Sequence, residues 1–144
     1  MPEKTDRILK TINELQDYLA KLDEAQAYSK DDFFHSWNIY FSVERLLQLA
    51  VECIIEIGED IISIGRYKKP QTYRETFAIL AQKEILDIAL ADQMIGYVDM
   101  RNKLVHAYAT VPRERIYELC QQGTASFRRF IAAVKQFFQQ KSIV

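Results

Sequence analysis

The run from Asp32 to Gly65, DFFHSWNIYFSVERLLQLAVECIIEIGEDIISIG, decides the fold class. It contains no proline, and Phe33, Trp37, Tyr40, Phe41, Leu47, Ala50, Ile54, Ile57 and Ile61 return at helical spacing along its whole length. This pattern predicts one long helix of about 50 Å at 1.5 Å per residue. Ile39, Val43, Leu46, Leu49, Cys53 and Ile62 widen its apolar content beyond a single stripe. Such a helix must be covered on more than one side, either as the centre of a bundle or by burial in a dimer as well.

Working outward toward the N-terminus, Ile8, Ile12, Leu15, Leu19 and Leu22 alternate spacings of four and three and predict a first helix from about Thr5 to Gln26. Between the two, Ser29-Lys30-Asp31-Asp32 has the form of an N-cap with an acid three residues later, which satisfies free N–H groups at a helix start. Toward the C-terminus, Arg66 to Gln71 reads as a loop. Thr72-Tyr73-Arg74-Glu75 is a capping box that opens a short helix through about Gln82. A further helix is expected from about Leu86 to Ala109, broken by Thr110-Val111-Pro112. A last one runs from Pro112 to near the C-terminus with a kink at Gly123.

The composition agrees, because 4 glycines and 3 prolines in 144 residues leave little turn chemistry for a many-stranded sheet. The fold class that follows is all-α: an up-and-down bundle of four to five helices with one long central helix, in a single domain over residues 1–144. The formal net charge of −1 argues against a protein that coats nucleic acid non-specifically, although Lys68, Lys69 and Lys103 remain candidates for local contacts to RNA phosphate. Cys53 and Cys120 are isolated in apolar surroundings, which points to reduced, buried thiols and to neither a metal site nor a disulfide framework. The most apolar segment, Cys53 to Ile64, is interrupted by Glu56, Glu59 and Asp60 and is not expected to span a membrane. With no basic-then-apolar run at the N-terminus, a cytoplasmic protein is expected.

The reactive side chains gather in Arg101-Asn102-Lys103-Leu104-Val105-His106-Ala107-Tyr108. Of the two histidines, His35 and His106, only His106 has a guanidinium and a phenol close by in sequence. Acid-base chemistry near neutral pH therefore points to it first. At about 100° per residue, Arg101 and Tyr108 share one helix face, while His106 lies about 140° from Arg101 and pairs with Asn102, four residues earlier. On a straight helix Arg101 and His106 do not converge. Either the helix end distorts before Pro112, or a second copy of the chain completes the groove. Arg and His facing one cleft suit phosphoryl chemistry on RNA, with the imidazole moving protons and the guanidinium holding phosphate. Chemistry alone leaves open that His106 is a hydrogen-bonded structural residue, that Tyr108 is a core aromatic, and that Arg101 and Asn102 merely cap the helix or pair with Asp99 or Glu114.

The motif resembles the Arg-x4-His-x-Tyr signature of HEPN-domain proteins and specifically of the HepT toxin family. Flanking blocks match in family order: Ser42 to Ala50 followed by Ile57-Gly58, Lys69 to Glu75, Val98 to Tyr108, and Arg115-Ile116-Tyr117. The resemblance covers about Thr5 to Phe138. It implies a homodimeric, metal-independent endoribonuclease toxin without a cofactor, with Arg101 and His106 catalytic and Asn102 in support. It also implies a minimal nucleotidyltransferase antitoxin as partner and matches Tyr108 to the tyrosine that such a partner adenylylates. The chain departs from the family at Tyr97-Val98-Asp99-Met100, where many relatives carry a Gly-Phe type sequence, and Asp99 is expected to place an anion near Arg101. The reading from a different class is a non-catalytic helical module that binds nucleotide or docks a nucleotidyltransferase.

Overall fold

The structure, a computed structural model, describes the backbone of residues 2–106 and 111–143 and the side chains of residues 3–106 and 111–141. Among these there are seven helices and no strand: α1 Pro2–Ala25, α2 Lys30–His35, α3 Trp37–Gly65, α4 Tyr73–Gln82, α5 Ile88–Val105, α6 Arg113–Gln122 and α7 Ala125–Ile143. The all-α expectation holds, with more helices than the four to five expected.

Two of the differences are breaks, and the others are shifted helix ends. The expected helix from Asp32 to Gly65 is divided at Ser36, whose backbone is extended (φ −110°, ψ 111°) and whose hydroxyl accepts from the Ile39 N–H at 3.4 Å. A serine side chain competes for backbone donors in this way, so the segment turns where periodicity alone sees continuity. At 29 residues α3 is about 43 Å long. The expected last helix is likewise two, because Gly123 takes φ +85° and ψ −171°, a conformation that favours glycine and ends α6 outright. Pro112 caps α6 from outside instead of lying in its first turn. Finally, α5 starts at Ile88 behind the Asp87 cap and ends at Val105, short of the expected Ala109.

The start signals are more faithful. Ser29 accepts from the Asp32 N–H at 3.0 Å and Thr72 from the Glu75 N–H at 3.1 Å, as the two capping patterns predict. The stripe on α1 faces α3, with Ile8, Leu15 and Leu19 fully buried and Ile12 and Leu22 nearly so. Each contributes about 1.5–3 kcal/mol of gross apolar burial. At one end of this seam Arg7 holds the buried Asp60 carboxylate through two N–H groups, Nε to Oδ2 at 2.8 Å and Nη2 to Oδ1, while Lys4 reaches Ser63. Asp60 raises the Arg7 guanidinium above its ordinary pKa. At the other end, Asp23 accepts from Thr124 at 2.8 Å and from Arg128 at 2.7 Å, tying the start of α7 to α1.

The largest fully buried side chains include Phe33, Phe77, Phe127 and Phe130. Both cysteines are free and buried, and burial pushes the Cys53 thiol up to about 12 and the Cys120 thiol upward as well. Helix α4 crosses α3 at Gly58, where a Cβ would stand 2.8 Å from Thr76 Cγ2. Only glycine lets the two backbones approach this closely. Among the described residues no helix is long and apolar enough to cross a membrane.

Candidate functional site

Two helix ends build the recess that holds the motif. The first is the start of α4. Thr72 caps it, and Glu75 Oε2 accepts from the Gln71 N–H at 3.0 Å, so the loop leading from Pro70 is pinned to the helix it introduces. The second is the end of α5. Arg101 and Asn102 lie on its last turns and His106 is the capping residue, with φ −88°, ψ 2° and its N–H donating to Asn102 O at 3.1 Å. Val105 is the last residue of the helix, and His106 retains the hydrogen bond of its final turn. Arg101, Asn102 and His106 all line one open recess of about 570 Å³, together with Thr72, Tyr73 and Glu59. The recess is wide enough to be lined by residues from different faces of the last turns of α5.

Arg101 is mostly buried, with 19% of its side chain exposed. Three helices hold it. From α3, Glu52 Oε2 accepts from Nη2 at 3.5 Å; from α5, Asn102 Oδ1 accepts from Nη1 at 3.3 Å; from α4, the Tyr73 ring lies 5.8 Å from the guanidinium carbon. Both hydrogen bonds are at the long limit for such contacts. Nε is buried and finds no partner among the described residues. Nη1 and Nη2 each make one stretched contact, which leaves a second N–H on each for an anion. Glu59 adds an anion to the recess wall, and its carboxyl is raised from the ordinary value by burial first and then by Asp60 and Glu56.

The other predicted residues separate. Lys69 lines an adjoining recess that shares Glu59 and Pro70 with the first, so it borders the Arg101 site. Lys68 is exposed on the same loop. Lys103 faces a different groove, between α5 and α6, with Arg115 and Gln93. Tyr108 lies outside the described residues. Asp99 does not pair with Arg101 as expected, since it accepts from Arg74 at 3.3 Å, and Glu114 pairs with Lys30 at 3.2 Å. The anion beside Arg101 is Glu52, which sequence reasoning missed, along with Tyr73 beneath the guanidinium. Glu52 sits 49 positions from Arg101, and no local spacing signals a contact across that distance.

Comparisons with known proteins identify the family. The family model described as HepT-like, Ribonuclease HepT-like, matches residues 8–134. The tRNA nuclease HepT of Aphanizomenon flos-aquae is 33% identical over 120 residues, covering 83% of this chain and 82% of the relative. The mRNA nuclease HepT of Shewanella oneidensis is 28% identical over 103 residues, covering 72% and 77%. Among solved structures, the tri-AMPylated Shewanella oneidensis HEPN toxin in complex with MNT antitoxin superposes with a TM-score of 0.83 at 24% identity, over 90% of this chain and 96% of that one. YutE of Bacillus subtilis, described as a cytosolic protein of unknown function, superposes with a TM-score of 0.83 at 20% identity, over 95% and 92%. Those two likenesses bear on the fold. The family match, spanning nearly the whole chain and both halves of the recess, carries the assignment: this chain belongs to the HepT-like ribonuclease family.

Proposed function

We propose that the recess at the end of α5 is the catalytic half-site of a toxin endoribonuclease, with Arg101 binding the scissile phosphate and His106 moving the proton. The observation that carries this is the placement of Arg101, Asn102 and His106 on one open recess despite their angular separation along the helix. RNA supplies its own nucleophile. As the 2′-oxygen attacks phosphorus its proton passes to an imidazole, the bond from phosphorus to the 5′-oxygen breaks, and the leaving 5′-oxygen takes up a proton from a second acid. Arg101 donates to the phosphate oxygens on which charge builds. Asn102 orients the guanidinium through Oδ1. One chain supplies one histidine to this recess, so base and acid are drawn from two protomers of a homodimer. Lys69, on the rim, is a contact for flanking phosphates.

The two relatives named as tRNA and mRNA nucleases support RNA as substrate, and the HEPN toxin solved with an MNT antitoxin supports a nucleotidyltransferase as the neutralising partner. In that arrangement Tyr108, two residues beyond His106, is the acceptor for adenylylation. Added nucleotides would bring negative charge and bulk to the motif and oppose the binding of RNA phosphate.

The test is cleavage of total RNA or tRNA by the purified protein with EDTA present. The expected result is cleavage that continues in EDTA, that His106→Ala abolishes and that Arg101→Ala lowers by about 10²–10³. Cleavage at the wild-type rate in both variants, or cleavage requiring added divalent metal, would overturn the reading. Expression without a partner should arrest growth, whereas a non-catalytic docking module would be harmless.

A further inference from the structure

We infer that Glu52 is a positioning residue for catalysis: it aims the Arg101 guanidinium into the recess and yields its contact to the RNA phosphate. The inference rests on the reading of Arg101 as the phosphate-binding residue. Glu52 lies on α3, far from the motif in sequence, and its side chain is 35% exposed against 19% for Arg101. Its Oε2 accepts from Gln48 Nε2, one turn earlier on the same helix, at 3.4 Å, and from Arg101 Nη2 at 3.5 Å. The carboxylate is thus steadied by its own helix and reaches the arginine with a single oxygen.

That geometry differs from a structural ion pair of the kind Arg7 makes with Asp60, where two guanidinium nitrogens grip two carboxylate oxygens. A bidentate pair would occupy the donors that a phosphate needs. A one-point contact at the limit of hydrogen-bonding distance fixes the direction of the side chain and leaves most donors available. With Tyr73 beneath and Asn102 beside, Glu52 completes a three-sided cradle contributed by α3, α4 and α5. Holding a long side chain in its reacting pose before substrate arrives is worth orders of magnitude in rate, and a misplacement of about 1 Å can cost about a hundredfold.

The experiment compares Glu52→Ala, Glu52→Gln, Arg101→Ala and the double variant Glu52→Ala/Arg101→Ala on a labelled RNA that the wild-type protein cuts, with folding followed by circular dichroism. Glu52→Ala is expected to lower kcat by about ten- to a hundredfold with KM unchanged or lower, since an anion beside the phosphate has been removed. Glu52→Gln, which keeps the acceptor oxygen, is expected to recover part of that loss. In the Arg101→Ala background Glu52→Ala should cost nothing more, because no guanidinium remains to be aimed. Wild-type kcat in both Glu52 variants while Arg101→Ala is strongly impaired would overturn the inference and leave the reading of Arg101 standing. So would a Glu52→Ala loss that recurs undiminished in the double variant or follows a loss of helical signal. Full activity of Arg101→Ala would instead overturn the reading on which the inference rests.

Discussion

The seam between α1 and α3 and the recess at the end of α5 use the same side-chain types to opposite ends. In the seam, the apolar stripe from Ile8 to Leu22 is closed to solvent, and Arg7 meets Asp60 through two hydrogen bonds. In the recess, Arg101 has a carboxylate within reach as well, yet the contact is single and long and one nitrogen goes without a partner among the described residues. A buried polar group left unsatisfied costs about 1–3 kcal/mol. The seam stabilises the molecule by completing its interactions, and the recess leaves those of its arginine incomplete, a cost of the kind that functional sites carry. Stability and activity should therefore separate between the two regions.

The largest effect expected is in the seam. Leu15→Ala removes a fully buried side chain and should destabilise by about 2–5 kcal/mol, read as a lower Tm, with cleavage per folded molecule unchanged. A comparable loss of catalytic rate at constant fold would erase the distinction. Next is Arg101→Ala, which should cut the cleavage rate by about 10²–10³ while Tm stays within a few degrees of wild type. A collapse in Tm would place Arg101 with the seam. A smaller effect concerns the thiols. Because burial pushes Cys53 up to about 12 and raises Cys120, both should resist a thiol reagent at pH 7.5 in the native protein and react together in denaturant. Fast labelling of either in the native state would show that the covered side of α3 or of α6 opens.

The smallest effect belongs to Glu59. Its carboxyl is raised in the folded protein by burial and by its acidic neighbours. A raised acid contributes stability below its unfolded pKa of about 4.3, and that contribution is lost as pH rises through the folded value. Glu59→Gln should therefore match wild type in acid and become slightly more stable than wild type toward neutral pH, a difference visible in Tm measured across that range. An advantage confined to acid would reverse the sign of this argument.

Helix starts were legible in the sequence wherever a side chain caps its own helix, as Ser29 and Thr72 do, because cap and helix are local neighbours. The α1 stripe was legible for the same reason. The break at Ser36 was not, since a serine inside an apolar run carries no fixed meaning until its hydroxyl is seen to accept from Ile39. In the motif, residue identities pointed to Arg101 and His106, but the recess they share is completed by α3 and α4, which no local spacing reveals, and periodicity extends α5 past its end at Val105. Glu52 and Tyr73 were invisible, as each meets Arg101 only through packing between helices.

The crossing at Gly58 has a consequence for the recess. Thr76 is completely buried, and its hydroxyl reaches back to Thr72 O at 3.4 Å, which limits how freely its methyl can turn away. Thr72 and Tyr73, four and three residues before it, are walls of the recess. A methyl group at position 58 would act as a shim under α4, lifting the Tyr73 ring away from the guanidinium it supports. The gap between the Arg101 guanidinium and the Tyr73 ring is thus gauged by a residue with no side chain.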